Sequence, residues 1–301
     1  EVDETIFPNL FMPPLYPFFL YLLNFLNPLP SHFVDVVLYV HLTLSLIAII
    51  YFNQILQIFY SKKISLIGTA IFALFPLYIY SCSQISSISL QIFLSILFFY
   101  NLLKFIKLDH KKYLYGFSFF SSLLILLRGE FILIFLFTLI LIYIIKKKIT
   151  VILISSLFTI LILSPYLIRN YIVFDKITIT KSIGFNLWKG NNIYSKSEGS
   201  EKIYKESMSQ KIDNLQLTNK YDLEIDKIYM DEGINNIVSD PVKYLKLYFV
   251  KMFSFLFVDL NSSYPNYYNL IHIIPKILMG GLSILSLFLL VQKKSIINYF
   301  S

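Results

Sequence analysis

The chain is poor in charged residues, in cysteine and in arginine. Only 15% of its 301 residues are charged, whereas a soluble domain of this length carries about 25%. The single cysteine, Cys82, excludes an internal disulfide and a cysteine-based metal site. Of the 26 basic residues, only Arg128 and Arg169 are arginines. The low charge argues against a soluble globular domain, and the single cysteine argues against a fold stabilised by internal disulfides.

Apolar residues make up 56% of the chain, and the mean hydropathy is +0.67. Runs of roughly 20 apolar residues recur, and each is long enough to cross the hydrocarbon core of a bilayer. We therefore expect an all-α polytopic membrane protein, with six spans in residues 31–168 and a last span with a cytoplasmic end in residues 268–301. The expected spans are Phe33–Tyr60, Ile64–Cys82, Ser86–Ile106, Tyr113–Leu127, Phe131–Ile145, Ile149–Ile168 and Tyr268–Gln292.

Clustered lysines predict the orientation of these spans. They follow the ends of alternate apolar runs, at Lys62–Lys63, Lys104–Lys112, Lys146–Lys148 and Lys293–Lys294. Lysine-rich loops stay in the cytoplasm, which predicts that the large loop region, residues 169–267, with most of the chain's acidic residues, is external. The formal net charge of +8 is thus a membrane signal, and we expect no nucleic-acid partner, because no basic face with interleaved aromatics is present.

The external segments carry local helix signals. Residues 1–30 are expected to hold the remnant of a first external loop and a short juxtamembrane helix that opens after Pro13-Pro14. In the large loop region, Ser200–Asn214 and Asp222–Ser239 are expected to be short helices. Asp240-Pro241 is typical of a helix start, with an Asp cap and a Pro in the first turn. The amphipathic helix that follows, Pro241–Val258, is expected to lie in the outer interface.

The two arginines stand at the outer ends of spans, where the positive-inside tendency disfavours them. The span before Arg169 is expected to end at Ser164-Pro165, leaving Arg169 at the membrane surface. A planar guanidinium grips a phosphate in two places, which an ammonium group does poorly. A phosphate-binding role is therefore one interpretation, and snorkelling or a structural ion pair of Arg128 with Glu130 is the other.

Five stretches occur in a characteristic order along the chain. They are MPPLYPFFLYLL (Met12–Leu23), LLRGEFILI (Leu126–Ile134), SPYLIRNYIVFDKI (Ser164–Ile177), FNLWKGNN (Phe185–Asn192) and SDPVKYLKLYFVKMF (Ser239–Phe253). Together they resemble the bacterial GT-C membrane glycosyltransferases, the group that includes aminoarabinose transferases and protein O-mannosyltransferases. The resemblance covers nearly the whole chain, and the series Ser-Pro, Arg-Asn and Leu-Trp-x-Gly-Asn-Asn is its most specific part.

The resemblance implies a GT-C-like helix bundle with a mainly helical external loop region. It implies an enzyme that moves a sugar from a polyprenyl phosphate to a lipid, glycan or protein acceptor on the outer face. The arginines would hold the departing phosphate, the asparagines would bind sugar hydroxyls, and the tryptophan would stack on a sugar. For the tryptophan the alternative is an interfacial anchor, and for the Asn pair it is a Gly-Asn turn. The expected substrate-binding residues are Arg128, Glu130, Arg169, Asn170, Trp188, Asn191 and Asn192.

The family's catalytic carboxylate lies in the first external loop, well before the Pro-Pro motif. We expect it upstream of Glu1, and we expect the chain to be a fragment truncated at both ends. Asp3 and Glu4 are weak candidates, because they fall too close to Pro13-Pro14. Met12 stands where family members often carry a basic residue, and Ser86–Ser89 replace a frequent carboxylate.

Other functions stay open at this point. A transporter or flippase of lipid-linked sugars would usually carry buried ionisable residues or inverted repeats. A polymerase or ligase of surface polysaccharide is a closer enzymatic alternative, and a non-enzymatic scaffold is a third class. No cofactor is required by the sequence. A divalent cation is left open, although His32, His41 and His272 are scattered without nearby carboxylate clusters.

Overall fold

The computed structural model describes residues 8–27, 30–203 and 205–292, and every regular element within these ranges is helical. They contain thirteen α-helices, one short 3-10 turn at Pro30–His32, and no strand. The chain forms two compact units. The bundle unit consists of the described residues of Pro13–Leu167, and the loop unit consists of those up to Met12 together with Ile168–Gln292. The all-α class predicted from the sequence is confirmed.

Eight helices begin in the bundle unit. They are α1 (Leu15–Leu26), α2 (Phe33–Phe59), α3 (Lys62–Ala73), α4 (Pro76–Cys82), α5 (Ile88–Leu108), α6 (Lys111–Leu127), α7 (Phe131–Lys146) and α8 (Ile149–Phe174). The last of these runs on into the loop unit. Pro28 and Pro30 follow the end of α1, and a proline cannot continue a helix without losing a hydrogen bond.

Five helices form the loop unit beyond α8. They are α9 (Ile183–Gly190), α10 (Glu206–Asp213), α11 (Tyr221–Ser239), α12 (Pro241–Leu256) and α13 (Leu270–Gln292). The predicted helix start at Asp240-Pro241 is confirmed: the Asp240 carboxylate accepts the Lys243 backbone N–H at 3.1 Å, and Pro241 occupies the first turn. The helix predicted at Asp222–Ser239 corresponds to α11, whereas the one predicted at Ser200–Asn214 is shorter and begins only at Glu206, as α10.

Four helices in the described ranges are long and apolar enough to cross a membrane, namely α2, α5, α8 and α13. The pair α3 and α4 makes a fifth if it is counted as one span broken by a 56° bend. Helices of this kind indicate a membrane protein. Because α6 and α7 have only 17 and 16 residues, the number of six spans before residue 168 stays a prediction.

The bundle unit has hydroxyl groups inside and apolar side chains outside. Ser118 Oγ lies 2.6 Å from Ser155 Oγ, and Thr159 Oγ1 donates to the Ser118 carbonyl at 3.4 Å, which joins α6 to α8. On the outside, Phe137 and Leu157 are 71% and 70% exposed. Small polar residues between helices and apolar residues facing outward are what helix association in lipid favours.

Contacts along the helices show which ends lie together. His41 and Tyr51 of α2 contact Gln84 and Tyr100, so α2 runs parallel to α5. Helix α6 returns antiparallel to α5, with Phe98 and Phe117 5.2 Å apart between ring centroids. The first turns of α2, the loop before α5 and the C-terminus of α6 therefore share one end of the bundle unit, which we call the His41 end.

Helix α8 passes through Pro165 rather than ending at Ser164-Pro165, and the point at which it leaves the membrane stays a prediction. Proline lacks the N–H that would bond to the carbonyl of Leu161, four residues earlier. The Ser164 hydroxyl donates to that carbonyl instead, at 2.8 Å. Side-chain hydroxyls commonly relieve prolines inside membrane helices in this way. The helix consequently ends only at Phe174, and the residue after it, Asp175, takes the left-handed conformation with φ 57°.

Helix α9 packs very closely on α11, and this contact forms the core of the loop unit. A Cβ built on Gly184 would stand 2.0 Å from the Asp226 carbonyl, and one on Gly233 would stand 3.1 Å from the Trp188 nitrogen. The buried Asp226 carboxylate also accepts the Phe185 backbone N–H at 3.1 Å. Asp226 thereby caps the N-terminus of α9, although it lies 41 positions after Phe185 in the sequence.

The segment before the bundle helices also belongs to the loop unit. Leu10 is fully buried. Its N–H donates to the Asp222 carboxylate at 2.6 Å, and its carbonyl accepts the Lys181 N–H at 2.8 Å. These contacts tie the first described residues to the large loop region.

Candidate functional site

Four buried polar atoms at the His41 end have no hydrogen-bond partner among the described residues. They are Tyr16 Oη, His41 Nε2, Ser86 Oγ and Arg128 Nε. Buried polar groups are nearly always paired in folded proteins, so each exception points to a missing ligand, water or functional role. Four such groups at one end of a helix bundle make this end the candidate functional site.

The geometry of His41 fixes its tautomer. Nδ1 lies 3.2 Å from the carbonyl oxygen of Gln84, and a carbonyl can only accept, so Nδ1 carries the proton. Nε2 of the neutral ring then holds a free lone pair. The ring is fully buried and stacks on Phe19 at 6.0 Å and on Tyr16 at 6.2 Å between centroids. The contact with Gln84 thus fixes the imidazole of His41, and Nε2 has a free lone pair that can accept a proton.

Arg128 follows the last residue of α6, at the same end of the bundle. Its guanidinium lies 3.6 Å from Glu130, with side-chain exposures of 41% and 65%. The ion pair considered from the sequence is therefore present. An exposed pair at this distance contributes little to stability, so a phosphate could replace Glu130 as the partner of Arg128 at small cost.

An apolar cavity of about 410 Å³ lies in the same unit between α2, α4 and α5. Its lining includes Leu38, Leu42 and Ile49 of α2. Cys82 and Ser83 close it on the other side and directly precede Gln84, the partner of His41. A cavity of this composition suits a hydrocarbon chain, because ligand pockets of this size bind mainly through apolar contact.

Arg169 belongs to the loop unit and lies near the end of α8. Its guanidinium donates to the Asn170 side-chain oxygen at 2.7 Å and stands 5.0 Å from the centre of the Phe174 ring. Asn170 is fully buried and donates to the Thr178 carbonyl at 2.7 Å. The pair therefore fixes the turn after α8. Since Arg128 belongs to the bundle unit, a phosphate site shared by both arginines stays a prediction.

The residues of the Trp-x-Gly-Asn-Asn stretch have structural partners. Trp188 is fully buried and packs on Tyr229 at 4.9 Å, so it is not an exposed interfacial anchor. Asn192 is buried too, and its side chain bonds to the backbone of Ser200 and Tyr194. The Asn191 amide donates to the Leu187 carbonyl at the end of α9. Sugar contacts from the two asparagines would replace existing bonds, whereas Trp188 Nε1 is buried without a hydrogen-bond partner among the described residues. Sugar binding by all three residues stays a prediction.

Lys251 connects α12 to the same stretch. Its ammonium group donates to the carbonyl of Gly190, the last residue of α9, where the helix dipole favours a cation. Burial lowers the pKa of Lys251 below its ordinary value of 10.5. Lys243 and Lys246 of the same helix are exposed, so the lysines of this helix are divided between solvent and the interior.

The lowered pKa of Lys251 makes a pH-dependent prediction. Between that lowered pKa and 10.5 the unfolded chain holds a proton that the folded chain has lost, so stability should rise with pH over this window. Lys251→Met should abolish this rise. The unfolding midpoint is measured as a function of pH from the fluorescence of Trp188, the only tryptophan. Lys246→Met, on the exposed face, is the control, and an identical pH profile for both variants would contradict the assignment.

The structure adds no metal centre. Within residues 8–27, 30–203 and 205–292, no group of three or more His, Cys, Asp or Glu side chains could hold a metal ion. The weak catalytic candidates Asp3 and Glu4 lie outside the described residues.

Comparisons with protein-family models, with curated proteins and with solved structures found no match to this chain. The resemblance to the GT-C glycosyltransferases is therefore carried by the sequence motifs alone.

Sequence reasoning did not single out His41, whose unpartnered Nε2 makes it part of the candidate site. A signal was present, because an ionisable residue in the interior of a membrane span is by itself a functional hypothesis. His41 lies in the third turn of α2, within the first long apolar run. From the sequence, the histidines were weighed only as metal ligands, and their scattered positions argued against that role.

Proposed function

We propose that the chain is part of a membrane glycosyltransferase that moves a sugar from a polyprenyl phosphate to a lipid, glycan or protein acceptor. The observation that carries the proposal is the set of unpartnered buried polar atoms at the His41 end, next to an apolar cavity. A lipid-linked phosphate needs polar groups around its phosphate and an apolar cavity for its hydrocarbon chain. The outer face of a bacterial inner membrane is the proposed location.

The groups at the His41 end match the steps of the transfer. The acceptor hydroxyl or amine attacks the anomeric carbon, and the bond from that carbon to the phosphate oxygen breaks. The proton of the acceptor goes to His41 Nε2, which acts as a general base. Polyprenyl phosphate leaves with its new negative charge, which Arg128 stabilises.

The direct test is incubation of the full-length protein with labelled polyprenyl-phosphate sugars and membrane acceptors. Label should move from the polyprenol to an acceptor and should depend on Arg128. Failure of every donor sugar to react, with a well-folded protein in lipid, would reject the transferase.

Arg169→Lys gives a second measurement of the proposal. Lysine keeps the positive charge but lacks the planar guanidinium group that contacts Asn170 and Phe174. If Arg169 grips the phosphate in two places, transfer should fall by about tenfold or more. Lys176→Arg, just beyond the helix, is the matched control and should keep full activity. Near-normal turnover of Arg169→Lys would remove Arg169 from the site.

One observation favours a transporter or flippase of lipid-linked sugars as the second candidate. Helices α3 and α4 are separated by a 56° break between Ala73 and Pro76, and transporters often bind substrates at broken helices. A flippase would move the labelled donor across a liposome bilayer without transferring its sugar. The same labelled substrates therefore separate the two candidates.

A further inference from the structure

Four lysines of the loop unit line one cavity of about 400 Å³. Lys176 and Lys181 come from the segment between α8 and α9, and Lys220 and Lys227 come from the start of α11. Two carboxylates share the lining, those of Glu224 and Asp226. The cavity contains none of the residues assigned to the His41 end.

The walls of this cavity are fixed by hydrogen bonds. Asn219 Nδ2 donates to the Val173 carbonyl at 3.0 Å, which joins the segment before α11 to the end of α8. Thr178, midway between Lys176 and Lys181, is bound through its carbonyl by Asn170 at 2.7 Å. The backbone that carries the lysines is thus held in place before any ligand binds, which lowers the entropic cost of binding.

Four lysines and two carboxylates line the cavity, which leaves a formal net charge of +2 (4 − 2). In the described ranges, no carboxylate oxygen lies within 4.0 Å of any of these four ammonium nitrogens. Asp226 is buried and bound to the Phe185 N–H, so it serves the N-terminus of α9. Glu224 is exposed. Lys220 occupies the N-cap of α11, whose first turn also carries Asp222 and Glu224, so these two carboxylates offset the positive end of the helix dipole.

We propose that this cavity binds a phosphate ester. Four lysines around one cavity favour an anion of high charge, and a phosphate monoester carries nearly two negative charges at neutral pH. A volume of about 400 Å³ also leaves room for the organic part of the ester. The ester is either a soluble molecule or the headgroup of a phospholipid. The proposal is independent of the transferase, because it concerns binding alone.

The experiment titrates the full chain in nanodiscs with two probes. Glycerol 1-phosphate tests the soluble source by calorimetry, with glycerol as the uncharged reference. Phosphatidic acid in phosphatidylcholine nanodiscs tests the lipid source, through the unfolding midpoint reported by Trp188 fluorescence. Binding of either probe should weaken about tenfold in Lys220→Gln/Lys227→Gln and should fall with ionic strength.

The matched control is Lys211→Gln/Lys246→Gln, which removes the same charge from two exposed lysines of α10 and α12. It should bind both probes as the wild type does. Lys220→Arg/Lys227→Arg keeps the charge, so it should bind as well, and it covers the case in which the glutamine variant folds poorly. Equal weakening by the control pair, or no binding of either probe by the wild type, overturns the proposal.

Discussion

Replacing His41 by glutamine is expected to reduce sugar transfer by about 10²–10⁴-fold, the usual contribution of a general base. Glutamine can keep a hydrogen bond to the Gln84 carbonyl, but it offers no basic nitrogen in place of Nε2. The loss should appear in kcat rather than in KM, since the proton moves only in the transition state. Single-turnover rates with a labelled donor would measure it.

His32→Gln is the matched control, because His32 lies just before the same helix, is exposed and pairs with Asp35 at 3.3 Å. It should leave the rate unchanged. A merely structural role of His41 would lower the unfolding midpoint without changing the pH profile of the remaining activity. If His41→Gln transfers sugar at the rate of His32→Gln, His41 is not the base.

Gly184→Ala is expected to destabilise the loop unit by about 1–3 kcal/mol or more, the cost of overpacking a fixed interface. The added methyl would stand 2.0 Å from the Asp226 carbonyl and 2.9 Å from the Met230 nitrogen. Both are backbone atoms of α11, so no side chain can rotate away and the two helices must separate. Trp188, on α9, would report the loss as earlier exposure of its fluorescence to water.

The control for this change is Gly281→Ala in α13, where a built Cβ meets no atom within 4 Å. Alanine there should be neutral or should stabilise by up to about 1 kcal/mol, through its higher helix propensity. Equal unfolding midpoints for Gly184→Ala and Gly281→Ala would contradict the close packing of α9 on α11.

The helical class and the start of α12 were predictable because their signals are local. Long apolar runs define membrane helices without reference to the rest of the chain, and Asp240-Pro241 is a helix start within two residues. The end of α8 could not be predicted in this way. Pro165 normally argues for a stop, and only the bond of the Ser164 hydroxyl to Leu161 shows how the helix continues.

The candidate site was less predictable, because burial depends on residues far apart in the sequence. Trp188 and Asn192 follow a motif typical of an exposed loop, but they are buried by packing on α11 and by bonds to Ser200. The close approach of α9 and α11 depends on Gly233, which has no marked local pattern. Arg128 was identified from the scarcity of arginine and from its position at the outer end of a span, whereas the free Nε2 of His41 is evident only once Nδ1 is seen to contact the Gln84 carbonyl.

The bond between Leu10 and Asp222 joins residues 212 positions apart. During synthesis, the partner of Leu10 emerges only after every helix of the bundle unit has been made. Closing so long a loop is entropically costly and slow compared with forming local helices. We therefore expect the segment Pro8–Met12 to dock late, so that nascent chains halted before Asp222 would carry it open to proteases while their earlier helices are already inserted.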